Sequence, residues 1–183
     1  QLQGAYLGEA QLQRANLVEA QLQGAYLGEA QLQGAYLGEA QLQGAGLSFS
    51  QLIGIMDTPM SLDQTNLSAV TNDGGALRFV DLSGARFDHR TNFRNAFLDA
   101  SVEVPRAFEL SNRRPCQWAW ARAGNGGDPL TDSQFYAFWL GWLLTNPDRT
   151  ERDVRLIWRG ITPEERHDID PVSPPPGCVW HPD

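Results

Sequence analysis

The sequence predicts an all-β solenoid over residues 1–108 and a small α-helical module over residues 109–183, because two different patterns divide the chain. In the first part an apolar residue, most often leucine, recurs at every fifth position, and a small residue stands two positions before it. In the second part this period stops, and all six tryptophans and several helix-capping sequences appear. A period of five fits neither the 3.6-residue turn of a helix nor the two-residue repeat of an ordinary strand, which excludes a long helix.

The repeat is built on the decapeptide QLQGAYLGEA, which occurs identically at residues 1–10, 21–30 and 31–40. Variants of it fill residues 11–20 and 41–50. Each decapeptide consists of two five-residue units with a leucine at the centre of each. Self-similarity at a fixed short period is the signature of a solenoid, in which successive units stack and bury one continuous core.

The units resemble those of the pentapeptide-repeat family, whose motif A(D/N)LXX is carried by Ala15-Asn16-Leu17-Val18-Glu19. The resemblance extends over the first hundred residues. It implies a right-handed quadrilateral parallel β-helix, in which each pentapeptide forms one side of a square and four complete a coil. About five coils are expected from the length of the repeat region.

The resemblance also implies which side chains point into the coil. The central leucine and the small residue before it are expected to face inward and to fill the interior completely, which leaves no cavity for a substrate. The residues assigned to this inward-facing set are Leu7, Leu12, Leu17, Leu22, Leu27, Leu32, Leu37, Leu42, Leu47, Ala10, Ala15, Ala20, Ala25, Ala30 and Ala35.

The five-residue frame is broken at two places, around residues 53–61 and 70–75. There Asp57 and Asn72 occupy slots that should be apolar, among turn-forming residues. We expect bulges or short loops at both places. Loops that project from a rigid rod are more plausible binding sites than the repeats, although neutral decay of the repeat explains the same pattern.

Residues twenty positions apart should stack on the outside of the solenoid. Stacked glutamines, such as Gln1, Gln21 and Gln41, can exchange amide hydrogen bonds, whereas stacked glutamates repel one another and must be solvated or bound by a cation. The exposed rows of aromatic and acidic residues form a candidate interaction surface, which comprises Tyr6, Glu9, Tyr26, Glu29, Glu19 and Glu39.

The charge of the chain argues against direct binding of DNA or RNA. The net charge is −8, the chain has no lysine, and its arginines form no basic stripe. An acidic rod is compatible with another possibility implied by the family resemblance, a DNA-mimicking modulator of a DNA-binding enzyme such as gyrase. We keep this as the alternative function.

In the C-terminal part, three threonine-initiated capping sequences predict short helices near residues 132–145, 151–159 and 163–168, before a proline-rich tail. The first helix carries ten successive apolar residues at 135–144. It is too short to span a bilayer, which needs about 20 residues. It is interpreted as a core helix, and the alternative is a membrane-associated or partner-binding element.

We expect this Trp-rich module to close the C-terminal end of the solenoid. The last coil of a solenoid exposes apolar core and unpaired backbone groups, and it requires a cover. Val102, Val104 and Phe108 lead out of the last coil without a flexible linker, and the all-apolar helix needs a surface on which to bury itself.

The residues suggest no catalytic site, metal site or cofactor. Cys178 and His181 form a single CxxH pair, which is weak evidence for zinc, and a disulfide between Cys116 and Cys178 would require an oxidising compartment. The glycine-rich stretch at 124–128 lacks the lysine of a phosphate-binding loop. The sequence therefore predicts a non-enzymatic scaffold or protein-interaction module with an unidentified protein partner and no cofactor.

The expected location is the cytoplasm. Because Gln1 lies inside a repeat, we expect further repeats or a cap upstream, and association with a membrane through such a segment stays open. Membrane contact is not expected from the residues in hand.

Overall fold

Parallel backbone pairing between residues about one coil apart organises the first hundred residues of the computed structural model. Tyr6 pairs with Tyr26, Tyr26 with Gly46, Gly46 with Thr71, and Thr71 with Asn92. These five residues form one column along the rod, and columns of the same kind follow on the other sides of the coil. The structure describes residues 1–105, 108, 115–123, 126–152, 154 and 168–182.

Where the pairing is continuous, it forms short parallel strands, because each side of a coil is only about one pentapeptide long. One sheet has the order β1-β3-β5 and the other pairs β2 with β4. In the first sheet Leu52 lies beside Leu77, and Leu77 lies beside Leu98. The strands are β1 (Gln51–Ile53), β2 (Met60–Ser61), β3 (Ala76–Arg78), β4 (Val80–Asp81) and β5 (Phe97–Leu98).

The apolar interior follows the five-residue frame. From Leu22 to Leu47 every central leucine is at most 2% exposed, and the alanines from Ala25 to Ala45 are buried with them. Leu7, Leu12 and Leu17 are only partly buried, since within the described chain the first coil packs against a second coil on one side only. The small residues of that coil that were assigned to the interior, Ala10, Ala15 and Ala20, are also partly buried.

Polar residues in inward slots are satisfied locally. The hydroxyl of Ser50 donates to the carbonyl of Leu47 at 2.7 Å, and the hydroxyl of Thr65 donates to the carbonyl of Leu37 at 2.6 Å. The expected loop at 70–75 is wrong. Asn72 is 1% exposed, and its side-chain oxygen accepts a hydrogen bond from the backbone of Gly75 at 2.9 Å, so this segment stays within the coil.

The expected loop at 53–61 is present in a shorter form, between β1 and β2. Upstream of it the paired residues are 20 apart, as in Gln31 and Gln51, and across it they are 25 apart, as in Gln41 and Asn66. The insertion therefore lengthens one coil without changing which sides of successive coils are paired.

Two helices of the C-terminal part are described, α1 (Cys116–Ala123) and α2 (Asp132–Leu143). Helix α1 was not predicted. Helix α2 begins at the predicted capping box, in which Thr131 and Gln134 exchange hydrogen bonds. The predicted helices at 151–159 and 163–168 lie largely outside the described residues. Neither described helix is long and apolar enough to cross a membrane.

Helix α2 packs along the flank of the solenoid. The indole N–H of Trp139 donates to the carbonyl of Gly74 at 3.0 Å, and that of Trp142 donates to the carbonyl of Asn95 at 2.9 Å. Phe135, Trp139 and Trp142 are fully buried. These three side chains therefore belong to the core and cover the flank of the solenoid, whereas Tyr136 of the same helix is only partly buried.

The C-terminal end of the solenoid interior is covered by two aromatic residues. Phe108 packs edge-on against Phe87 and Phe93, with ring centroids 5.4 and 5.3 Å apart, and Trp118 stacks on Phe108 at 5.7 Å. The indole N–H of Trp118 donates to the carbonyl of Ala96 at 2.8 Å. Phe108 together with Trp118 of the module thus covers the end, and α2 covers the flank.

The corners of the coil require a left-handed backbone, and this requirement generates a test. Gly24 has φ +66°, and a Cβ there would meet no heavy atom of the described chain within 4 Å. We expect Gly24→Ala to lower the free energy of unfolding by about 1 kcal/mol, through backbone strain alone. Thermal melting would detect a decrease of about 3 °C.

Gly38→Ala is the matched control, because a Cβ there is equally free of described neighbours and its φ is not positive. This variant should be neutral or more stable by about 0.5 kcal/mol, since alanine restricts the unfolded chain. Equal melting temperatures for the two variants would contradict the role assigned to the left-handed corners.

Candidate interaction surfaces

The predicted aromatic row is a stacked pair of exposed tyrosines. The rings of Tyr6 and Tyr26 lie 4.9 Å apart with an interplanar angle of 21°, and Tyr6 is 82% exposed. The column continues to Gly46, which has no side chain to extend the stack. The aromatic surface on this side therefore ends after two coils.

The predicted acidic residues occupy corners of the coil. Glu9, Glu19, Glu29 and Glu39 have φ between 57° and 61°, and all but the half-buried Glu29 are exposed. Backbone pairing places Glu9 over Glu29, and the next residue of this column is Phe49. The second acidic row, Glu19 and Glu39, lies two sides of the coil away from the first.

Phe49 interrupts the first acidic row because the C-terminal part covers it. Its ring stacks on Trp180 with centroids 6.4 Å apart, and the guanidinium of Arg149 lies 4.5 Å from the ring centroid. The Glu9 and Glu29 row therefore spans two coils, on the order of 5 Å at the usual spacing of paired strands.

Glutamine side chains connect successive coils on another side. The side-chain amide of Gln13 donates to Gln31 at 2.6 Å, and that of Gln33 donates to Gln51 at 2.9 Å. Gln31 and Gln51 are 4% and 0% exposed. These glutamines contribute to inter-coil pairing, so they are poor candidates for contact with a partner.

The turn at residues 55–59 projects from the solenoid. Ile55 and Thr58 exchange backbone hydrogen bonds at 3.3 and 2.9 Å, which closes the turn. At its base the backbone N–H of Gly54 donates to the carbonyl of Arg78 in β3 at 2.8 Å. The backbone N–H of Met60 donates to the carbonyl of Phe79, also at 2.8 Å. The turn is thus held at both ends and presents Met56, which is 67% exposed.

Glycine is required at the base of this turn. A Cβ on Gly54 would lie 2.1 Å from the carbonyl oxygen of Phe79 and 2.6 Å from the backbone nitrogen of Met60. Both atoms belong to the backbone that the turn is attached to, so they cannot move aside. Because Gly54 has no side chain, the backbone of Met60 can approach it closely, and the chain re-enters the coil beside the residue at which it left.

Two open grooves flank the turn. The first, of 360 Å³, lies between the turn and the side of the rod that carries Val18 and Tyr36. The second, of 650 Å³, lies between the turn and the C-terminal part, where Phe79, Pro129 and Tyr136 form its wall. Ile55 contributes to both grooves. Their linings are mainly apolar.

A buried arginine positions the wall of the second groove. The Arg78 guanidinium lies 3.7 Å from the Asp99 carboxylate, bonds to Asp132, and donates to the carbonyl of Leu130. The backbone N–H of Leu130 donates to Asp99 at 3.0 Å. This network fixes the start of α2 against β3. Sequence reasoning missed it, since nothing in the sequence distinguishes Arg78 from an exposed arginine.

Asp88 and the two cysteines have structural roles. The carboxylate of Asp88 accepts hydrogen bonds from the backbone of Ala69 at 2.9 Å and of Arg90 at 3.0 Å, which lowers its pKa to about 2. Cys116 and Cys178 form a disulfide with their Cα atoms 5.7 Å apart. Within the described ranges no group of three or more His, Cys, Asp or Glu side chains is placed to hold a metal ion.

The family model for pentapeptide repeats matches eight copies within residues 1–30 and 20–55. Residues 1–55 are pentapeptide repeats. Backbone pairing of the same kind continues past the matched residues, as far as Glu103, which pairs with Asp81. Parallel pairing from coil to coil thus extends beyond the residues that the family model matches.

A solved structure of a pentapeptide repeat protein resembles this fold. A pentapeptide repeat protein from the Arabidopsis thaliana thylakoid lumen is 22% identical, with 60% of this chain aligned to 71% of that chain and a TM-score of 0.52. This likeness indicates a right-handed β-helix. No curated protein matches the sequence.

Two further pentapeptide repeat structures align less well. HetL, which is involved in heterocyst differentiation regulation in the cyanobacterium Nostoc sp. strain PCC 7120, is 23% identical over 55% of this chain and 58% of its own, with a TM-score of 0.32. QnrB1, a plasmid-mediated fluoroquinolone resistance protein, is 15% identical over 69% of this chain and 73% of its own, with a TM-score of 0.27.

The disulfide generates a test of how the C-terminal tail is held. It closes a loop with a sequence separation of 62 and holds the tail where Trp180 stacks on Trp142 at 5.8 Å. A loop of this length predicts that Cys116→Ser lowers the free energy of unfolding by about 4 kcal/mol. Dithiothreitol should lower the melting temperature of the native chain and leave that of Cys116→Ser unchanged.

Limited proteolysis would locate the effect. The tail should become cleavable near residues 168–177 in the variant, whereas the solenoid stays protected. A melting temperature that responds to neither reductant nor substitution would contradict a structural role for the disulfide.

Proposed function

We propose that the chain is a non-enzymatic scaffold that binds a protein partner. Its first unit, residues 1–108, would be a four-sided β-helix of about five coils, and its second, residues 109–183, a helical module that closes its C-terminal end. The observation that carries the proposal is the turn at 55–59, an apolar projection held at both ends of a rigid rod. Pentapeptide repeat proteins are generally structural or interaction proteins.

The filled interior supports a role without catalysis. Its central leucines from Leu22 onward are almost fully buried, so the coils offer no room for a substrate. The grooves beside the turn are lined mainly by apolar groups, and the charge of Arg78 in the second groove is held by Asp99 and Asp132. Such a lining suits the side chains of a partner better than a reaction that needs converging polar groups.

The alternative, an acidic DNA mimic that modulates an enzyme such as gyrase, has weaker support. The net charge of −8 favours it. The acidic row formed by Glu9 and Glu29 is nevertheless interrupted by Phe49 under Trp180, so it is shorter than a duplex-like surface requires. A gyrase supercoiling assay should show no inhibition by the purified chain.

The cytoplasmic location expected from the sequence also fits the structure poorly. Disulfides form and persist in oxidising compartments, whereas cytoplasmic thiols are kept reduced. The pairing of Cys116 with Cys178 therefore favours an oxidising compartment as the place where the scaffold acts.

Site-specific photo-crosslinking would test the scaffold function. A benzophenone amino acid is placed separately at Tyr6, Met56 and Arg94, which are exposed in the described structure, and the source cells are irradiated. A scaffold should give a discrete protein adduct from at least one position, with a different yield at the others. Absence of adducts from all three positions, with the labelled chains folded, would contradict the proposal.

A further inference from the structure

We infer that the turn and its flanking grooves form a docking surface for a protein segment whose apolar side chains stand between lysines or arginines. This inference rests on the proposed scaffold function and specifies where the partner binds and what chemistry it presents. We call this region the turn surface, and it consists of Val18, Tyr36, Ile55, Met56, Pro59 and Tyr136.

The turn surface exposes apolar side chains that lie next to one another. Met56 is 67%, Tyr36 58%, Ile55 53% and Val18 46% exposed. Single exposed apolar residues are ordinary, but Val18, Tyr36 and Ile55 line one groove and Ile55 and Met56 line the next. A contiguous exposed apolar patch is typical of a protein-binding site, and methionine adapts readily to the shape of a partner.

Backbone hydrogen bonds within the chain itself hold the turn in place. The hydrogen bonds between Ile55 and Thr58 close it, and those from Gly54 and Met60 anchor it to the next coil. The second groove is equally fixed, because Arg78 bonds to Asp132 and to the carbonyl of Leu130. Binding therefore costs little conformational entropy on this side, which favours useful affinity from a small area.

Exposed carboxylates surround the apolar residues. Glu19 follows Val18 directly, Glu39 lies at the edge of the first groove next to Gly38, and Asp57 lies at the tip of the turn. The side chain of Asp132, at the mouth of the second groove, is 90% exposed. Carboxylates thus lie beside both grooves and at the tip of the turn, and together they form an acidic rim.

Cations offset this charge only in part. Arg78 is buried and its charge is matched by Asp99 and Asp132. Arg14 reaches the edge of the first groove, where its Cγ would lie 3.5 Å from a Cβ on Gly34. An apolar patch with an acidic rim is complementary to a partner that places apolar side chains between cationic ones.

The same charge pattern disfavours two other occupants. A second copy of the chain would bring two acidic rims together, and the net charge of −8 adds to the repulsion. A membrane surface that contains anionic lipids would be repelled as well. A basic amphipathic segment of another protein is the occupant that fits both the apolar and the charged parts of the surface.

Peptide binding provides the test. The probe is a fluorescent amphipathic helical peptide of leucine and lysine, about 18 residues long, and the control is a leucine and glutamate peptide with the same apolar face. Fluorescence anisotropy should show saturable binding of the first peptide and none of the second. Affinity for the first should fall with rising salt.

Variants then locate the binding site. The double variant Ile55→Ser and Met56→Ser should weaken binding at least about tenfold. Glu39→Gln and Asp57→Asn should each weaken it about threefold and reduce its salt dependence. The matched controls are Tyr6→Ser, an exposed aromatic away from the turn, and Asp170→Asn, an exposed acid of the tail, and both should bind normally. Circular dichroism establishes that each variant is folded.

Three results would overturn the inference: no saturable binding of the leucine and lysine peptide, equal binding of the two peptides, or an equal loss in Tyr6→Ser and the double variant. Self-association or sedimentation with phosphatidylserine vesicles that depends on Met56 would also overturn it, in favour of the other occupants. If the peptide-binding test fails while crosslinking from Tyr6 or Arg94 still gives partner adducts, the docking surface is wrong and the scaffold function stands. If crosslinking gives no adduct at any position, the scaffold function itself is contradicted.

Discussion

The stacking of one coil on the next is the constraint on which the rest of the structure depends. Backbone groups pair in parallel from coil to coil, as where the N–H of Leu27 donates to the carbonyl of Gly46 at 2.8 Å. This pairing turns the central residue of each unit inward, so an unpaired polar group there would be buried without water. Leucine at the centre and alanine beside it satisfy the constraint, and both recur at every fifth position for that reason.

The constraint leaves the outside free and permits insertions at the corners. The turn at 55–59 adds five residues to one coil, and pairing resumes directly after it because Met60 returns beside the point where Gly54 departs. A solenoid can therefore display a projecting segment without loss of its core. This is how a structural repeat acquires a local surface of its own, and it places the turn surface on a rigid support.

Much of the fold could be predicted from residue spacing, because burial in the solenoid depends on position within the five-residue frame. Leu22, Leu32 and Leu42, each at the centre of a five-residue unit, are at most 1% exposed. Asn72 shows the limit of that reasoning. A polar residue in an apolar slot indicates a loop from sequence alone, but the backbone of Gly75 supplies a hydrogen-bond partner inside the coil, and only the structure reveals it.

In the C-terminal part the capping box and apolar run predicted α2, but neither α1 nor the arrangement of the helices was predicted. An all-apolar helix indicates burial on every side, but it does not indicate which surface covers it, and the flank of the solenoid rather than its end receives Trp139 and Trp142. The pairing of Cys116 with Cys178 and the burial of Arg78 depend on that arrangement. The turn surface was located only as a break in the repeat, because its grooves combine residues from distant coils.

The inward orientation of the central leucines is tested most directly by comparing Leu27→Arg with Gln11→Arg. Leu27 is 1% exposed, whereas Gln11 lies on the outside of the rod. Circular dichroism should show that the first variant loses its cooperative β-type melting transition, because a buried unpaired charge cannot be accommodated in the coil. The second should melt as the native chain does. Equal effects of the two substitutions would contradict the assignment of the leucines to the interior, and with it the stacking on which this account of the molecule rests.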